Sequence, residues 1–374
     1  MILASGQAHA NSTVPVGTCL DISSVDQRLS VLPFMSHYWD ADNLIKLPDL
    51  EDGHTLTSVF KSVQFEQVID PQNEYVLGEG NSNHWLRFCV TNPSDKRVEL
   101  VLASSPAVIA EIDFYPQTQG AASFQTGSSK PMATRDIFAP EFDFNIVLQA
   151  GQTEHYFLRV RAHNTAYLIA SVWNKQSYLI AKDKREGTDG VLAGILIGLI
   201  LYTMLLYFSV RQSSSLLYIL WSTSTLILLA SIDGRILQYL LPHSPPWGIY
   251  TTILFYPLTL ILSALFAREF IQLKNYPRLD KVSWLIIAAG IVYLIWTYTR
   301  GYANYFQANA IFAVVVVIYF GCICPLYGYF VKKSVLSKYL LIAQFPLIIC
   351  VLDRSLFSIG ITFEHYVPYT AKVG

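Results

Sequence analysis

Residues Val191–Val210 read VLAGILIGLILYTMLLYFSV, twenty positions without a charge. At a helical rise of about 1.5 Å per residue, that length just crosses roughly 30 Å of hydrocarbon. A helix buried in a water-soluble core rarely stays apolar on every face for so long. Charges mark both ends: Lys182-Asp183-Lys184-Arg185-Glu186 before it and Arg211 after it. The stretch reads as a transmembrane helix. Everything before it has the pattern of a domain folded in water, and everything after it has the pattern of more membrane.

Composition agrees. Of 374 residues 52% are hydrophobic and only 14% charged, against about 25% charged in soluble domains. The deficit is uneven, since charges are frequent up to Asp189 and sparse beyond. A net charge of −1 gives no electrostatic footprint for a nucleic-acid partner. Residues 1–17 include Ala8-His9-Ala10, a small-x-small pattern that a signal peptidase accepts. They are expected to be the remnant of a secretion signal or a disordered tail, with the true start upstream. Cys322, Cys324 and Cys350 fall in apolar stretches, whereas Cys19 and Cys89 lie in the soluble part. Outside the cytoplasm that pair could bridge, but spacing does not place their Cβ atoms, and no cysteines have zinc-ligand spacing.

Residues 18–180 read as strands. Trp85–Thr91 alternates, Asn92-Pro93-Ser94-Asp95 makes a turn, and Val98–Ser104 is expected to return as the second strand of a hairpin. Val108–Tyr115, Phe144–Leu148, Glu154–Ala162 and Leu168–Trp173 add further runs, and one short helix is expected at Thr55–Lys61. Short strands at such spacing imply a β-sandwich or jelly roll. Trp39, Trp85, Arg87, Tyr115, Arg159 and Trp173 are ligand-binding candidates only through the sugar-binding comparison that the family resemblance given below implies: aromatic faces would stack on a pyranose ring and guanidinium groups would bond its hydroxyls. Against this stands core filling, expected of Trp85 and Tyr156 because both occupy alternating strand positions. Arg87 shares a face with Trp85 at i+2, so a buried Trp85 would leave Arg87 needing solvent or a partner.

Several motifs, in this order, resemble one family. They are Gly80 followed by Trp85-Leu86-Arg87-Phe88, Asn92-Pro93-Ser94, Asp113-Phe114-Tyr115, and Tyr156-Phe157-Leu158-Arg159-Val160 ahead of Trp173. The chain is similar here to the extracellular jelly-roll domain of bacterial seven-transmembrane receptors with diverse intracellular signalling modules. Leu237-Gln238-Tyr239-Leu240-Leu241-Pro242 with Trp247, and Ala267-Arg268-Glu269-Phe270-Ile271 with Tyr276-Pro277, resemble that family's outer loop and inner junction. The resemblance implies a ligand-sensing domain, often compared with carbohydrate-binding modules, and a cytoplasmic output module beyond a seventh span. Residues 362–374 stand where that span would begin, so the sequence is expected to be truncated.

Six helices are expected in the membrane domain 190–361: 191–210, 216–231, 249–267, 282–299, 309–331 and 340–361. Pro257 and Pro325 should kink two of them or free a carbonyl. Loops on one side hold Arg211, Arg268, Lys274, Arg278, Lys281, Lys332, Lys333 and Lys338, while the other side holds Arg235 and Arg300. The positive-inside rule then puts the soluble domain outside. Gly190, Gly194 and Gly198 line one face for close helix approach, within the bundle or in a dimer. Asp353 and Arg354, inside the last span, are candidate switch residues. Asp233 and Arg235 are expected to cap the second helix.

No phosphate loop, nucleophile elbow or zinc-protease signature occurs. The sequence thus reads as a non-enzymatic sensory receptor of the bacterial inner membrane, multi-pass, with its amino-terminal domain in the periplasm. Its expected partners are the lipid bilayer, a small ligand, and a second copy or partner receptor, with no cofactor, no metal and no nucleic acid. The rival is a transporter or its accessory protein, for which internal repeats are wanting. A third reading is a non-signalling scaffold remnant.

Overall fold

The computed structural model describes residues 18–25, 27–41, 43, 45, 60, 64–68, 75–78, 82–107, 109–117, 124–161, 166–300, 305–331 and 333–358. Of these, 24, 67, 76–78, 166–167, 300, 305–307, 347, 350 and 353–358 are described by their backbone alone. The regions 1–17 and 362–374 and most of the helix expected at 55–61 lie outside the described residues.

Among the described residues, twelve strands form the amino-terminal domain: β1 Leu20–Asp21, β2 Arg28–Ser30, β3 Ser36–Asp40, β4 Glu66–Gln67, β5 Tyr75–Gly78, β6 Asn83–Thr91, β7 Val98–Ser105, β8 Glu111–Pro116, β9 Phe124–Thr126, β10 Phe142–Leu148, β11 Thr153–Arg161 and β12 Ala166–Asn174. The first sheet runs β4-β3-β6-β11-β8-β9, with β1 parallel to β6. The second runs β10-β7-β12-β2, with β5 also on β12. Both sheets feed one core. Leu86, Phe88, Phe114, Tyr156 and Leu158 from the first meet Leu100, Leu102, Phe144, Ile146 and Val172 from the second, and Phe114 stacks on Phe144 at 4.9 Å. The β-sandwich expected from strand spacing is what forms.

The expected hairpin does not form. β6 pairs with β3 and β11, while β7 belongs to the second sheet. Asn92 explains why. Its backbone N–H bonds Gln152 O at 2.8 Å, and its side-chain amide donates to Lys96 O and Gln149 O, each at 2.8 Å. The turn is thereby held to the β10–β11 connection, and the chain crosses from one sheet to the other. Cys19 and Cys89 form a disulfide, beside the short β1–β6 pairing.

Seven helices follow among the described residues: α1 Lys175–Val210, α2 Ser213–Ile232, α3 Pro245–Phe270, α4 Pro277–Arg300, α5 Tyr305–Val316, α6 Cys324–Phe330 and α7 Val335–Ser358. A π-helical turn, Val317–Ile323, joins α5 to α6 without a break. Five helical stretches among the described residues are long and apolar enough to cross a membrane: α1, α2, α3, residues 277–299 of α4, and 308–330 through the π turn. Pro325 lacks an N–H and its ring crowds the carbonyl four residues back. That carbonyl belongs to Gly321, inside the wider π turn, so the span accommodates the proline there.

Polar contacts stitch the helices. Ser224 and Thr259 hydroxyls meet at 2.7 Å between α2 and α3. Arg268 of α3 makes a two-point bond to Asp280 of α4, at 2.7 and 3.1 Å, with its guanidinium over Trp284. Tyr293 donates to Asn309 Oδ1 at 3.0 Å between α4 and α5. Asp233 sits at the C-cap of α2, as expected, but Arg235 does not cap. It bonds Asp189 of α1 at 2.7 Å, because a half-buried guanidinium near apolar surroundings needs a carboxylate more than a helix end.

Candidate functional site

Strand alternation gives the first sheet a second face, turned away from the shared core, and there four of the six ligand candidates meet. β6 contributes Asn83, Trp85 and Arg87; β11 contributes Arg161, Arg159 and Phe157; β8 contributes Glu111, Asp113 and Tyr115. In register they form three rows: Asn83–Arg161–Glu111, Trp85–Arg159–Asp113 and Arg87–Phe157–Tyr115. Tyr38 of β3 extends the middle row.

This face is covered. Trp85, Tyr115, Phe157 and Phe60 form a small separate core, with Tyr38, Ile45 and Phe65 against it. Phe60 lies edge-on to Trp85 at 5.0 Å and stacks on Phe157 at 5.3 Å. Trp85 and Tyr115 are both 0% exposed. Core filling was thus the right expectation for Tyr156, which stacks on Phe88 and Phe114. For Trp85 it put the ring on the wrong side of the sheet, because a strand covered on both faces loses its alternation of buried and exposed positions. Arg87 does share the Trp85 face, and its guanidinium rests 4.8 Å from the Phe65 ring.

The charges beneath this cover are matched. Arg159 bonds Asp113 through Nε at 2.7 Å and Nη2 at 2.6 Å, and reaches Glu111 at 3.1 Å. Glu111 also faces Arg161 at 3.8 Å. Among the described residues of this face, three polar atoms stay buried without a hydrogen bond: Trp85 Nε1, Asn83 Oδ1 and Arg161 Nε. They occupy adjoining register positions, and they comprise two donors and one acceptor.

The other two candidates lie elsewhere. Trp39, more than half exposed, projects from the opposite face of β3 and lies nearly parallel to His84 at 6.4 Å. There His37 Nε2 meets His84 Nδ1 at 3.1 Å, and Tyr75 Oη meets His37 Nδ1 at 2.9 Å. Burial, then the neighbouring His84, push the His37 pKa down to about 4, and burial lowers that of His84. Burial and the charge of Glu66 raise that of Tyr75. Trp173, on the second sheet, carries Arg28 over its ring at 5.3 Å and donates to Ser171 Oγ. Asn83, Glu111, Asp113, Arg161, Phe60 and Phe65 escaped sequence reasoning. The Glu111-x-Asp113 and Arg159-x-Arg161 spacings were the available signal, since opposite charges at matching i, i+2 positions suggest paired strands.

In the membrane helices, a Cβ added at Gly190, Gly194 or Gly198 would meet no atom within 4 Å, so no described helix of the same chain packs against that face. Asp353 and Arg354 fall in α7, and their side chains lie outside what is described. Among the described residues no group of three or more His, Cys, Asp or Glu gathers for a metal.

Residues 185–374, more than half of the chain, match the family model described as 7TM diverse intracellular signalling. Residues 33–174 match the one described as 7TMR-DISM extracellular 2. A search of curated proteins finds no match.

Proposed function

Because the chain belongs to the 7TM family of diverse intracellular signalling, we propose that it is a bacterial inner-membrane receptor whose periplasmic sandwich binds a small polyhydroxylated ligand, of the carbohydrate class, on the covered face of its first sheet. The family places an extracellular sensing domain ahead of a multi-pass membrane domain with a signalling role. The observation that carries the ligand reading is the set of three unpaired buried atoms, Trp85 Nε1, Asn83 Oδ1 and Arg161 Nε. Leaving such groups without partners costs about 1–3 kcal/mol each, and a ligand bearing several hydroxyls, each donor and acceptor at once, would satisfy all three. Two aromatic rings, Trp85 and Tyr115, would then bound it.

Binding requires Phe60 and Phe65 to leave the face. The receptor therefore stores its response in a pre-existing equilibrium between a covered and a ligand-holding state. The membrane helices carry that shift to a cytoplasmic output, and no chemistry is performed by this chain itself.

The test is a thermal-shift titration of the detergent-solubilised chain against sugars, polyols and amino acids. A saturable rise with a polyhydroxy compound, abolished by Arg161→Leu and weakened at least tenfold by Trp85→Phe, is expected. Stabilisation only by compounds lacking hydroxyls, or a sugar response untouched by both substitutions, would refute the site.

A further inference from the structure

A cavity of about 530 Å³ lies at the ends of α1, α2, α3 and α7, where the connecting loops carry Arg211, Lys274 and Lys333. The positive-inside rule makes this the cytoplasmic side. We infer that the cavity is a binding site for one inner-leaflet phospholipid with a zwitterionic headgroup, a phosphate followed by a primary ammonium as in phosphatidylethanolamine.

Size, a gradient of polarity and charge carry this. The volume falls within the roughly 300–1,000 Å³ of small-molecule sites. Thr203 of α1 forms one wall, and no residue in the apolar window of that helix is buried, so the bilayer borders the cavity along α1. Depth sorts the other walls. Gln212, Glu269, Gln272 and Lys274 line the mouth, at the level of the loops, with Ser214 and Ser215 in the first turn of α2 beside them. Thr203 stands seven residues before the end of α1 at Val210, about 10 Å along the axis. The inner wall there is aromatic and fixed: Phe266 lies edge-on to Tyr218 at 5.6 Å and stacks on Trp221 at 5.5 Å. A cavity polar at its mouth and apolar further in follows the profile of a lipid, headgroup first and acyl chains beyond. A free water-soluble metabolite would leave the aromatic wall uncovered.

Charge selects the headgroup. One cation and one anion line the cavity, Lys274 and Glu269, 4.0 Å apart. That separation is the outer limit of an ion contact, and among the described residues neither group has another ionic partner. A lipid phosphate takes Lys274 together with the hydroxyls of Ser214 and Ser215, and the primary ammonium donates to Glu269. One long contact is exchanged for two charge-assisted ones. A purely anionic headgroup would set like charge against Glu269, and a quaternary ammonium has no N–H to give it.

The experiment is native mass spectrometry of the full chain in detergent, delipidated and titrated with phosphatidylethanolamine, phosphatidylcholine and phosphatidylglycerol of identical acyl chains. The first should be held about tenfold more tightly than the other two, the worth of one hydrogen bond to a charged group. Glu269→Gln should bring phosphatidylethanolamine down to the phosphatidylcholine level. Lys274→Met should weaken both, and Lys281→Met, exposed on the same side but outside the cavity, should leave the order unchanged. Should the variants fail to fold, the unaltered chain still decides the matter. Its affinity should fall as the ammonium is methylated once, twice and three times, and glycerophosphoethanolamine, the headgroup without acyl chains, should not displace the lipid. Equal retention of phosphatidylethanolamine and phosphatidylcholine, tighter retention of phosphatidylglycerol, a preference that survives Glu269→Gln, or displacement by the free headgroup would overturn the inference. None of these results bears on the ligand face around Trp85.

Discussion

The pair Arg159–Asp113 allows fold and ligand binding to be separated. Asp113 is 1% exposed and Arg159 12%, with contacts of 2.6 and 2.7 Å. Arg159→Leu leaves a buried carboxylate with its strongest partner gone, which costs about 3–5 kcal/mol. Asp113→Leu costs less, about 2 kcal/mol by the same reasoning, because Glu111 still accepts from Arg159 at 3.1 Å. Removing both charges together leaves two aliphatic side chains beside Trp85 in the same cross-strand row. A buried ion pair replaced by apolar groups of similar volume is close to neutral. The double variant should therefore be more stable than Arg159→Leu alone, by about 2–3 kcal/mol, a coupling expected only for groups in direct contact. Pulse proteolysis in urea, applied to the chain in detergent and read on the amino-terminal fragment, measures all four species. The ligand reading rests on Trp85, Asn83 and Arg161 and not on this pair, so the ligand response should return with the stability in the double variant. Additive losses, with the double variant the least stable of the four, would show that the pair is not the buried unit described.

Other perturbations test single features. Opening the Cys19–Cys89 bridge, 70 residues apart in sequence, should cost about 4 kcal/mol by the chain-entropy relation, read as a lower urea midpoint with reductant or in Cys19→Ser/Cys89→Ser. Gly127 has φ +150°, and an added Cβ would lie 2.1 Å from Ala110 O. Gly127→Ala should thus cost at least about 3 kcal/mol and leave little folded chain by size-exclusion chromatography. At the α6–α7 crossing a Cβ on Gly328 would fall 2.2 Å from Ser337 Oγ. Gly328→Ala should lower the melting temperature through about 1–3 kcal/mol of overpacking, and Ser337→Gly in the same chain should restore it. The Glu99 carboxyl is held below its ordinary 4.5 by the hydrogen bond and charge of Lys175, then by Arg97. A depressed acid stabilises the fold above the unfolded value and loses that contribution as pH falls through the folded one. Lys175→Met should therefore flatten the acid limb of stability below about pH 4.5.

What was legible in the sequence was local. Val191–Val210 announces a span because its signal is contiguous, and β10, β11 and β12 start and stop within about two residues of the runs read from alternation. The misreadings share a cause: they concern partners far away along the chain. Asn92-Pro93-Ser94 looks like a hairpin turn, and only its bonds to Lys96 and Gln149 reveal a crossing between sheets. Trp85 looks like sandwich core because nothing near it foretells that Phe60, from another segment, roofs the opposite face. Arg235 looks like a helix cap, and its carboxylate lies 46 residues upstream. Aromatic candidates could be chosen by residue type, but the Asn83 and Arg161 atoms beside them became distinctive only once their burial was known.

The π turn at Val317–Ile323 has a genetic corollary. One such turn holds a residue more than the α-helical path it replaces, so the span carries a single surplus position. Elsewhere in an apolar helix, deleting one codon would swing every later side chain by about 100° and scramble its contacts. Deleting one here, Ile318 for instance, would convert the turn to ordinary α geometry and leave Tyr305–Val316 and Cys324–Phe330 facing the neighbours they face now. Within the continuous span 308–330 this is where the reading frame of the fold has slack.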